Sequence, residues 1–212
     1  LPLLTYSPFA EEILSKNKYD TKLLHLALHP RWRDLSLSAC AEEKKKLRVV
    51  IFTVDCVGSD LVCINELIPL LHKKVDWIIF GNVPHHWLPF IHARARYNGL
   101  DGFPQQLIAL QADIALLPRE ASKRNLLLTP LLLMQLCAVG IPSITSDIPA
   151  FSCRFQTAKV QNSKDSWLAT IQEYLSQRLA LRNMVHDLPV KIGQKDWLSS
   201  QHCLEWLSIC QR

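Results

Sequence analysis

The chain has 212 residues, of which 49% are hydrophobic and 20% are charged, and its formal net charge is +5. Such a composition excludes an intrinsically disordered chain and is typical of a globular protein that buries a core. The longest apolar runs fall short of the ~20 residues of a transmembrane helix, so we expect no membrane-spanning segment.

Cysteine usage and charge limit the partners further. Cysteines at positions 40, 56, 63, 137, 153, 203 and 210 form no Cys-x-x-Cys pair, which favours free buried thiols in a reducing compartment over a zinc site. The mild positive charge suits an anionic ligand or a membrane surface, although solvated surface charge explains it more simply. We expect no nucleic-acid partner.

The sequence begins with Leu1 and not with Met, and no signal-peptide pattern follows. We therefore expect the chain to be part of a longer protein.

The first 30 residues predict a small piece that is separate from the rest. The sequence LLTYS is typical of a short strand, PFAEEILSKN of a helix with Pro8 near its start, and KLLHLAL of a further strand that ends before His29 and Pro30. Residues 31–46 are polar and charged and end in EEKKK, which indicates a linker. We therefore expect a βαβ-like piece over residues 1–30 and a second domain over residues 47–212.

Strands alternate with helices beyond the linker. Helices are predicted in SDLVCINELIPLLHKK, PQQLIALQA and TPLLLMQLCAV, and amphipathic helices follow beyond about residue 158. The strands are short runs of Val, Ile and Leu, as in a parallel sheet that is covered on both faces. We therefore expect an α/β domain with a Rossmann-like, doubly wound parallel sheet and residues 1–30 packed outside it. The predicted strands are residues 47–53, 75–80, 93–98, 113–117 and 142–146.

Ligands bind open parallel sheets outside the carboxyl ends of the strands, so the residues that follow each predicted strand are candidates for a site. Each Gly, Ser or Asn among them can also serve only a tight turn, but their coincidence on one edge favours a ligand. The candidates are Thr53, Val54, Asp55, Gly58, Ser59, Gly81, Asn82, Asn98, Gly99, Arg119, Glu120, Ser146 and Asp147.

Three segments together resemble a known family. In order and spacing, VDWIIFGNVP, FPQQLIALQADIALLPRE and N…TPLLLMQLCAVGIPSITSDIPAF resemble the C-terminal half of GT-B glycosyltransferases, above all the bacterial enzymes of surface-polysaccharide and O-antigen synthesis. The resemblance covers roughly residues 46–212, and the first 30 residues resemble the end of the preceding acceptor-side domain.

The resemblance implies a nucleotide-diphosphate sugar as donor substrate and a glycan, polysaccharide or protein as acceptor. It implies no cofactor and no metal, because basic side chains and a helix N-terminus neutralise the diphosphate in this family. It also implies a cytoplasmic protein, either free or peripheral at the inner face of the membrane, and either an N-terminal acceptor domain or a partner protein.

The family's donor helix begins, in this chain, near Thr129. A helix N-terminus suits a phosphate because of its unpaired N–H groups and partial positive charge, and Thr129 can either bind a phosphate oxygen or only cap the helix. The resemblance keeps Asn125 in place. It puts Gln135 where a Glu accepts hydrogen bonds from the ribose, and an uncharged amide accepts them more weakly.

Two departures remove positive charge from the implied donor site. Leu128 and Leu132 stand where the family has basic residues, and leucine cannot neutralise a diphosphate. Arg119, Lys123 and Arg124 are candidates to replace them, although a solvated loop also explains these side chains.

Two functions therefore stay open. The full-length protein is either an active glycosyltransferase with an altered donor pocket, or a non-catalytic glycosyltransferase-like module for binding or for pairing with a partner. Basic side chains that reach the start of the Thr129 helix would favour the enzyme. We expect the catalytic base outside this chain, on the acceptor side. A nicotinamide site would need G-x-G-x-x-G and a hydrolase would need G-x-S-x-G, and the sequence contains neither motif. His85 and His86 are adjacent, and His25 and His29 lie in a run that is predicted as a strand, so we expect no metal site at these histidines.

Overall fold

The computed structural model describes residues 3–33, 35, 46–99 and 101–210. At the N-terminus, β1 (Leu3–Thr5), α1 (Pro8–Lys16) and β2 (Thr21–Leu23) form a βαβ unit whose two strands pair in parallel. Helix α1 begins where the sequence predicts it, because the Ser7 hydroxyl accepts a hydrogen bond from the N–H of Ala10 at 3.3 Å. Strand β2 ends at Leu23 and is therefore shorter than the strand predicted over the apolar run KLLHLAL.

A six-stranded sheet forms the centre of the molecule, and every pair of neighbouring strands in it is parallel. All five predicted strands are present, so the Rossmann-like parallel sheet is confirmed. The sixth strand was not predicted, because three residues are too few to show a pattern. The strands are β3 (Leu47–Phe52), β4 (Val75–Phe80), β5 (Ile91–Ala95), β6 (Ile114–Leu117), β7 (Ser143–Ser146) and β8 (Ala158–Val160), in the order β5-β4-β3-β6-β7-β8.

Eight helices connect and follow these strands in the described part of the chain. The predicted helix after β3 is divided in two, and Pro69 explains the break, because it has no N–H to donate to the carbonyl of Asn65. The helices are α2 (Gly58–Leu61), α3 (Leu67–Leu71), α4 (Phe103–Ala109), α5 (Lys123–Leu126), α6 (Leu131–Ala138), α7 (Lys164–Ser176), α8 (Arg178–Val190) and α9 (Ser200–Cys210). Short 3-10 helices lie at Pro30–Trp32, His85–Phe90, Pro149–Phe151 and Gln194–Asp196.

Helices cover both faces of the sheet, as predicted. Along β3, Val50 and Phe52 point into a core shared with α4 and α6, while Val49 and Ile51 point into a second core shared with α2, α3 and α7. This alternation is the one expected of a strand buried on both sides.

The segment that follows β2 packs into the first of these two cores, the one shared with α4 and α6. Leu28 is 1% exposed and Trp32 is 6% exposed, and both belong to the core that contains α6. The expectation that residues 1–30 lie outside the sheet therefore fits β1 and β2 but not Leu28. Most of the predicted linker of residues 31–46 lies outside the described residues, and the predicted division into domains stays a prediction.

Candidate functional site

The candidate site is the carboxyl edge of the six-stranded sheet, where the loops after β3, β4 and β6 meet. Hydrogen bonds join these loops: the Thr53 hydroxyl donates to the carbonyl of Asn82 at 2.7 Å, and the Arg119 guanidinium donates to the carbonyl of Val54 at 3.0 Å. The edge predicted from the sequence is therefore a set of loops that support one another.

Gly81 allows two of these loops to approach closely. Its φ is +119°, and a Cβ at this position would lie 2.7 Å from the backbone nitrogen of Val54 and 2.8 Å from the Thr53 hydroxyl. A side chain is therefore excluded both by the backbone conformation and by the available space. Asn82, which follows it, is exposed at the edge.

Asp60 is the centre of the site, although the sequence analysis placed it inside a helix and did not name it. Its side chain is fully buried. One carboxylate oxygen accepts a hydrogen bond from the N–H of Val57 at 2.9 Å, and the other accepts one from the N–H of Glu120 at 2.9 Å. The Asn125 amide donates to the same carboxylate at 2.6 Å and the Arg124 guanidinium does so at 2.5 Å.

These contacts keep Asp60 ionised. Burial by itself raises the pKa of this carboxyl. The backbone hydrogen bonds from Glu120 and Val57 and the hydrogen bond from the Asn125 amide lower the pKa, and together they outweigh burial. A buried carboxylate at the edge of the sheet consequently holds α2 and α5 against each other.

Arg119 is buried beneath the loop that follows β3. It is 5% exposed, and its guanidinium donates to the carbonyls of Pro118 at 2.9 Å and Val54 at 3.0 Å and contacts the sulfur of Cys56. Burial raises the pKa of the Cys56 thiol to about 11, so this cysteine is a neutral thiol and no nucleophile at neutral pH. Arg119 therefore supports the loop from below.

The other two candidate cations lie on α5. The Arg124 guanidinium is bound to Asp60 and also donates to the carbonyl of Asp55 at 2.8 Å. Lys123 is exposed. Two of the three predicted substitute cations are thus engaged with the chain's own loop after β3, and Lys123 extends into solvent.

Helix α6 starts later than the sequence predicts. Pro130 occupies its N-cap position without a side-chain hydrogen bond, so the expectation that Thr129 caps this helix is wrong. Thr129 precedes the cap and is half-buried. Gln135 lies further along α6 with 9% of its surface exposed. Asn125, which the sequence analysis placed in the site, is buried and holds Asp60 and the Glu120 carbonyl.

A second group of hydrogen bonds connects the ends of β6, β7 and β8. The Ser146 hydroxyl accepts from the N–H of Arg119 at 2.7 Å and donates to the Asn162 side chain at 2.6 Å, and the Asn162 amide donates to the Arg119 carbonyl. Asn162 was not predicted, because the strand before it was not. Asp147 is exposed and lies 3.2 Å from Lys159.

The remaining candidates are accessible. Gly58 and Ser59 open α2 and are exposed, and Glu120 is exposed beside them. Asn98 and Gly99 lie after β5, apart from the Asp60 contacts. The described residues contain no group of three or more His, Cys, Asp or Glu that could hold a metal ion.

Comparison with known proteins shows similarity at the level of structure. No family model and no curated protein sequence matches the chain. HepE from Anabaena, solved with UDP-glucose, superimposes with a TM-score of 0.70 at 10% identity over 98% of this chain and 63% of its own. WaaG, a glycosyltransferase involved in lipopolysaccharide biosynthesis, gives 0.61 at 13% identity over 88% and 57%. The Gap123 complex of Streptococcus agalactiae, a glycosylation-associated protein, gives 0.53 at 11% identity over 89% and 41%.

The fold is that of the GT-B glycosyltransferases. The chain covers less than two thirds of the length of each of these solved chains. At such low sequence identity, the similarity shows a shared fold and nothing about activity. The assignment to the O-antigen type, the degenerate donor motif at Leu128 and Leu132, and the location at the inner membrane face stay predictions. No helix in the described ranges has the length and apolar character needed to cross a membrane.

Proposed function

We propose that this chain is the donor-side part of a bacterial GT-B glycosyltransferase that transfers a sugar from a nucleotide-diphosphate sugar to a glycan, polysaccharide or protein. The fold supports this proposal, and so does the fact that HepE, which shares it, was solved with UDP-glucose. The acceptor side and the catalytic base belong, in this proposal, to an N-terminal domain or a partner.

The observation that carries the proposal is the arrangement of the carboxyl edge. Exposed Gly58 and Ser59 open α2, the Thr53 hydroxyl joins the loop before them to the carbonyl of exposed Asn82, and the Asp60 contacts join α2 to the loop after β6. We propose that the diphosphate lies between Ser59 and the start of α6, and that Gln135 faces the ribose.

A half-exposed aromatic ring fits the nucleobase in this arrangement. Tyr97 is 45% exposed and packs on Phe103, with the ring centroids 5.4 Å apart. The two rings meet edge to face, and the exposed part of the Tyr97 ring is available for stacking of a base. The base would then lie between this ring and the loop from Asn82 to Pro84.

The expected affinity is low. Leu128 and Leu132 supply no charge, and Arg119 and Arg124 are engaged with the loop after β3. The loss of two charge-assisted contacts at ~1.5–3 kcal/mol each lowers affinity by a few orders of magnitude. The proposal therefore expects binding near the millimolar range for the isolated chain.

A second candidate function is favoured by those same two arginines. Because Arg119 and Arg124 bind the chain's own carbonyls and Asp60, the edge is compatible with a non-catalytic module that keeps the GT-B fold for pairing with a partner. Nucleotide binding separates the two candidates.

Calorimetric titration with uridine, guanosine and thymidine diphosphates tests the proposal. The donor-side function expects saturable binding of at least one of them, and Ser59→Glu should abolish it, because a carboxylate would repel the phosphates. Ser200→Glu adds the same charge at the exposed start of α9 and should leave binding unchanged. Absence of binding at millimolar ligand would reject the donor-side function in favour of the non-catalytic module.

A further inference from the structure

A second charged surface lies at the amino edge of the sheet, opposite the candidate donor site. A cavity of about 600 Å³ opens there between the turn that precedes β4 and the junction of α7 and α8. Its volume lies within the range of small-molecule sites. None of the described residues that line it is acidic; these are Lys46, Lys73, Lys74, Gln172, Leu175, Ser176 and Arg178.

The fold itself concentrates these cations. Lys46 directly precedes β3 and Lys74 directly precedes β4, and the first residues of the two strands, Leu47 and Val75, are paired. Neighbouring strands lie about 4.8 Å apart, so two lysines enter the sheet side by side. Like charges on neighbouring strands repel each other, and an anion bound between them would relieve this repulsion.

The chain supplies only part of that compensation. The Lys46 ammonium lies 3.6 Å from a carboxylate oxygen of Asp76 and donates to the carbonyl of His72 at 3.2 Å. Lys73 and Lys74 are exposed, and neither forms an ion pair with another described residue. The cavity therefore carries an excess of positive charge that is accessible to a ligand.

We propose that this cavity binds a phosphate-bearing anion, and that Lys73 and Lys74 are its main contacts. Lys46 and Arg178 line the same space. The phosphate group belongs either to a soluble molecule or to a lipid headgroup. The site is separate from the proposed donor site, because the two lie at opposite ends of the same parallel strands.

Pyrophosphate is the first probe, titrated into the intact chain by calorimetry at low salt. The double variant Lys73→Gln/Lys74→Gln should weaken binding roughly 10- to 30-fold, given ~1 kcal/mol for each lysine near an anionic surface. The matched control is Lys191→Gln/Lys195→Gln, which removes the same charge from exposed positions beyond the far end of α8. That end lies ~20 Å away, since a helix rises ~1.5 Å per residue.

Two further measurements separate this site from the donor site and from the bulk charge. Ser59→Glu should leave binding at the amino edge intact, and the double lysine variant should leave binding of uridine diphosphate unchanged. Equal weakening by both lysine pairs would overturn the proposal, because net charge alone would then explain binding.

Vesicles distinguish the two sources of the phosphate group. Vesicles of phosphatidylglycerol and phosphatidylcholine are sedimented with the protein, and pure phosphatidylcholine vesicles serve as the control. Sedimentation that requires phosphatidylglycerol, Lys73 and Lys74 indicates a lipid headgroup, whereas pyrophosphate binding without sedimentation indicates a soluble ligand. Either result supports the site, and failure of both probes to bind would overturn it.

Discussion

Asp60 is the residue on which the geometry of the candidate site depends most. Its carboxylate accepts from two backbone N–H groups and from the side chains of Asn125 and Arg124. Asp60→Asn removes the charge and turns an NH₂ group towards these donors. Because the Arg124 side chain is 45% exposed, the main cost is that of buried donors left without an acceptor, about 1–3 kcal/mol of unfolding free energy, measurable by urea denaturation. Asp20→Ala, at an exposed position, should change it by less than ~0.5 kcal/mol.

The same carboxylate makes a pH-dependent contribution to stability. Because the pKa of Asp60 is lower in the folded than in the unfolded chain, its contribution is complete above the ordinary value of about 3.9 and is lost as the pH falls through the folded pKa. The difference in unfolding free energy between the wild type and Asp60→Asn should therefore shrink below about pH 4. A difference that stays constant down to acid unfolding would show that the charge of Asp60 contributes nothing.

Gly81 gives a prediction that separates steric contact from backbone strain. Gly81 and Gly99 both have positive φ, of +119° and +103°, but only at Gly81 would a Cβ collide with other atoms. Gly99→Ala should cost only the strain of about 1–2 kcal/mol, and Gly81→Ala should cost that amount plus an overpacking penalty of about 1–3 kcal/mol. Equal melting temperatures of the two variants would contradict the close approach of the loops after β3 and β4.

At the scale of elements, α6 is a buried helix. Leu133 is 0% exposed, and the residues from Leu133 to Ala138 are all buried. Leu133→Asp places an unpaired charge against apolar neighbours and should cost ~3 kcal/mol or more. Leu127→Asp, where the side chain is 48% exposed, is the control and should cost little. Thermal unfolding measures both, and similar melting temperatures would mean that α6 is not part of the core.

The strands and long helices could be predicted because their patterns extend over enough residues. Strand β4 coincides with the predicted residues 75–80, since VDWIIF is bounded by a lysine turn and Gly81. The short elements could not: β8 has three residues and α5 has four, and α5 depends on Ser122 capping and on the distant Asp60. The start of α6 was misplaced by two residues because Pro130 takes the N-cap.

At the scale of the whole molecule, the sequence predicted which edge of the sheet the candidate residues follow but not the contacts among them. The carboxyl edge follows from the order of strands and helices, so Gly58, Ser59, Asn82 and Glu120 were found at accessible positions. The roles of Arg119 and Asp60 depend on contacts between residues more than 50 positions apart, which no local pattern encodes. The two proposed sites lie at opposite edges of one sheet, so we expect a substitution at one to leave binding at the other unchanged.

The central claim is that the carboxyl edge of this GT-B sheet takes a nucleotide diphosphate. Amide chemical shifts of the isotope-labelled chain, recorded during titration with uridine diphosphate, test it most directly. The account predicts saturable shifts that concentrate at Gly58, Ser59, Asn82 and the first turn of α6, and small shifts at Lys73 and Lys74. Shifts confined to the amino edge, or none at millimolar nucleotide, would contradict it.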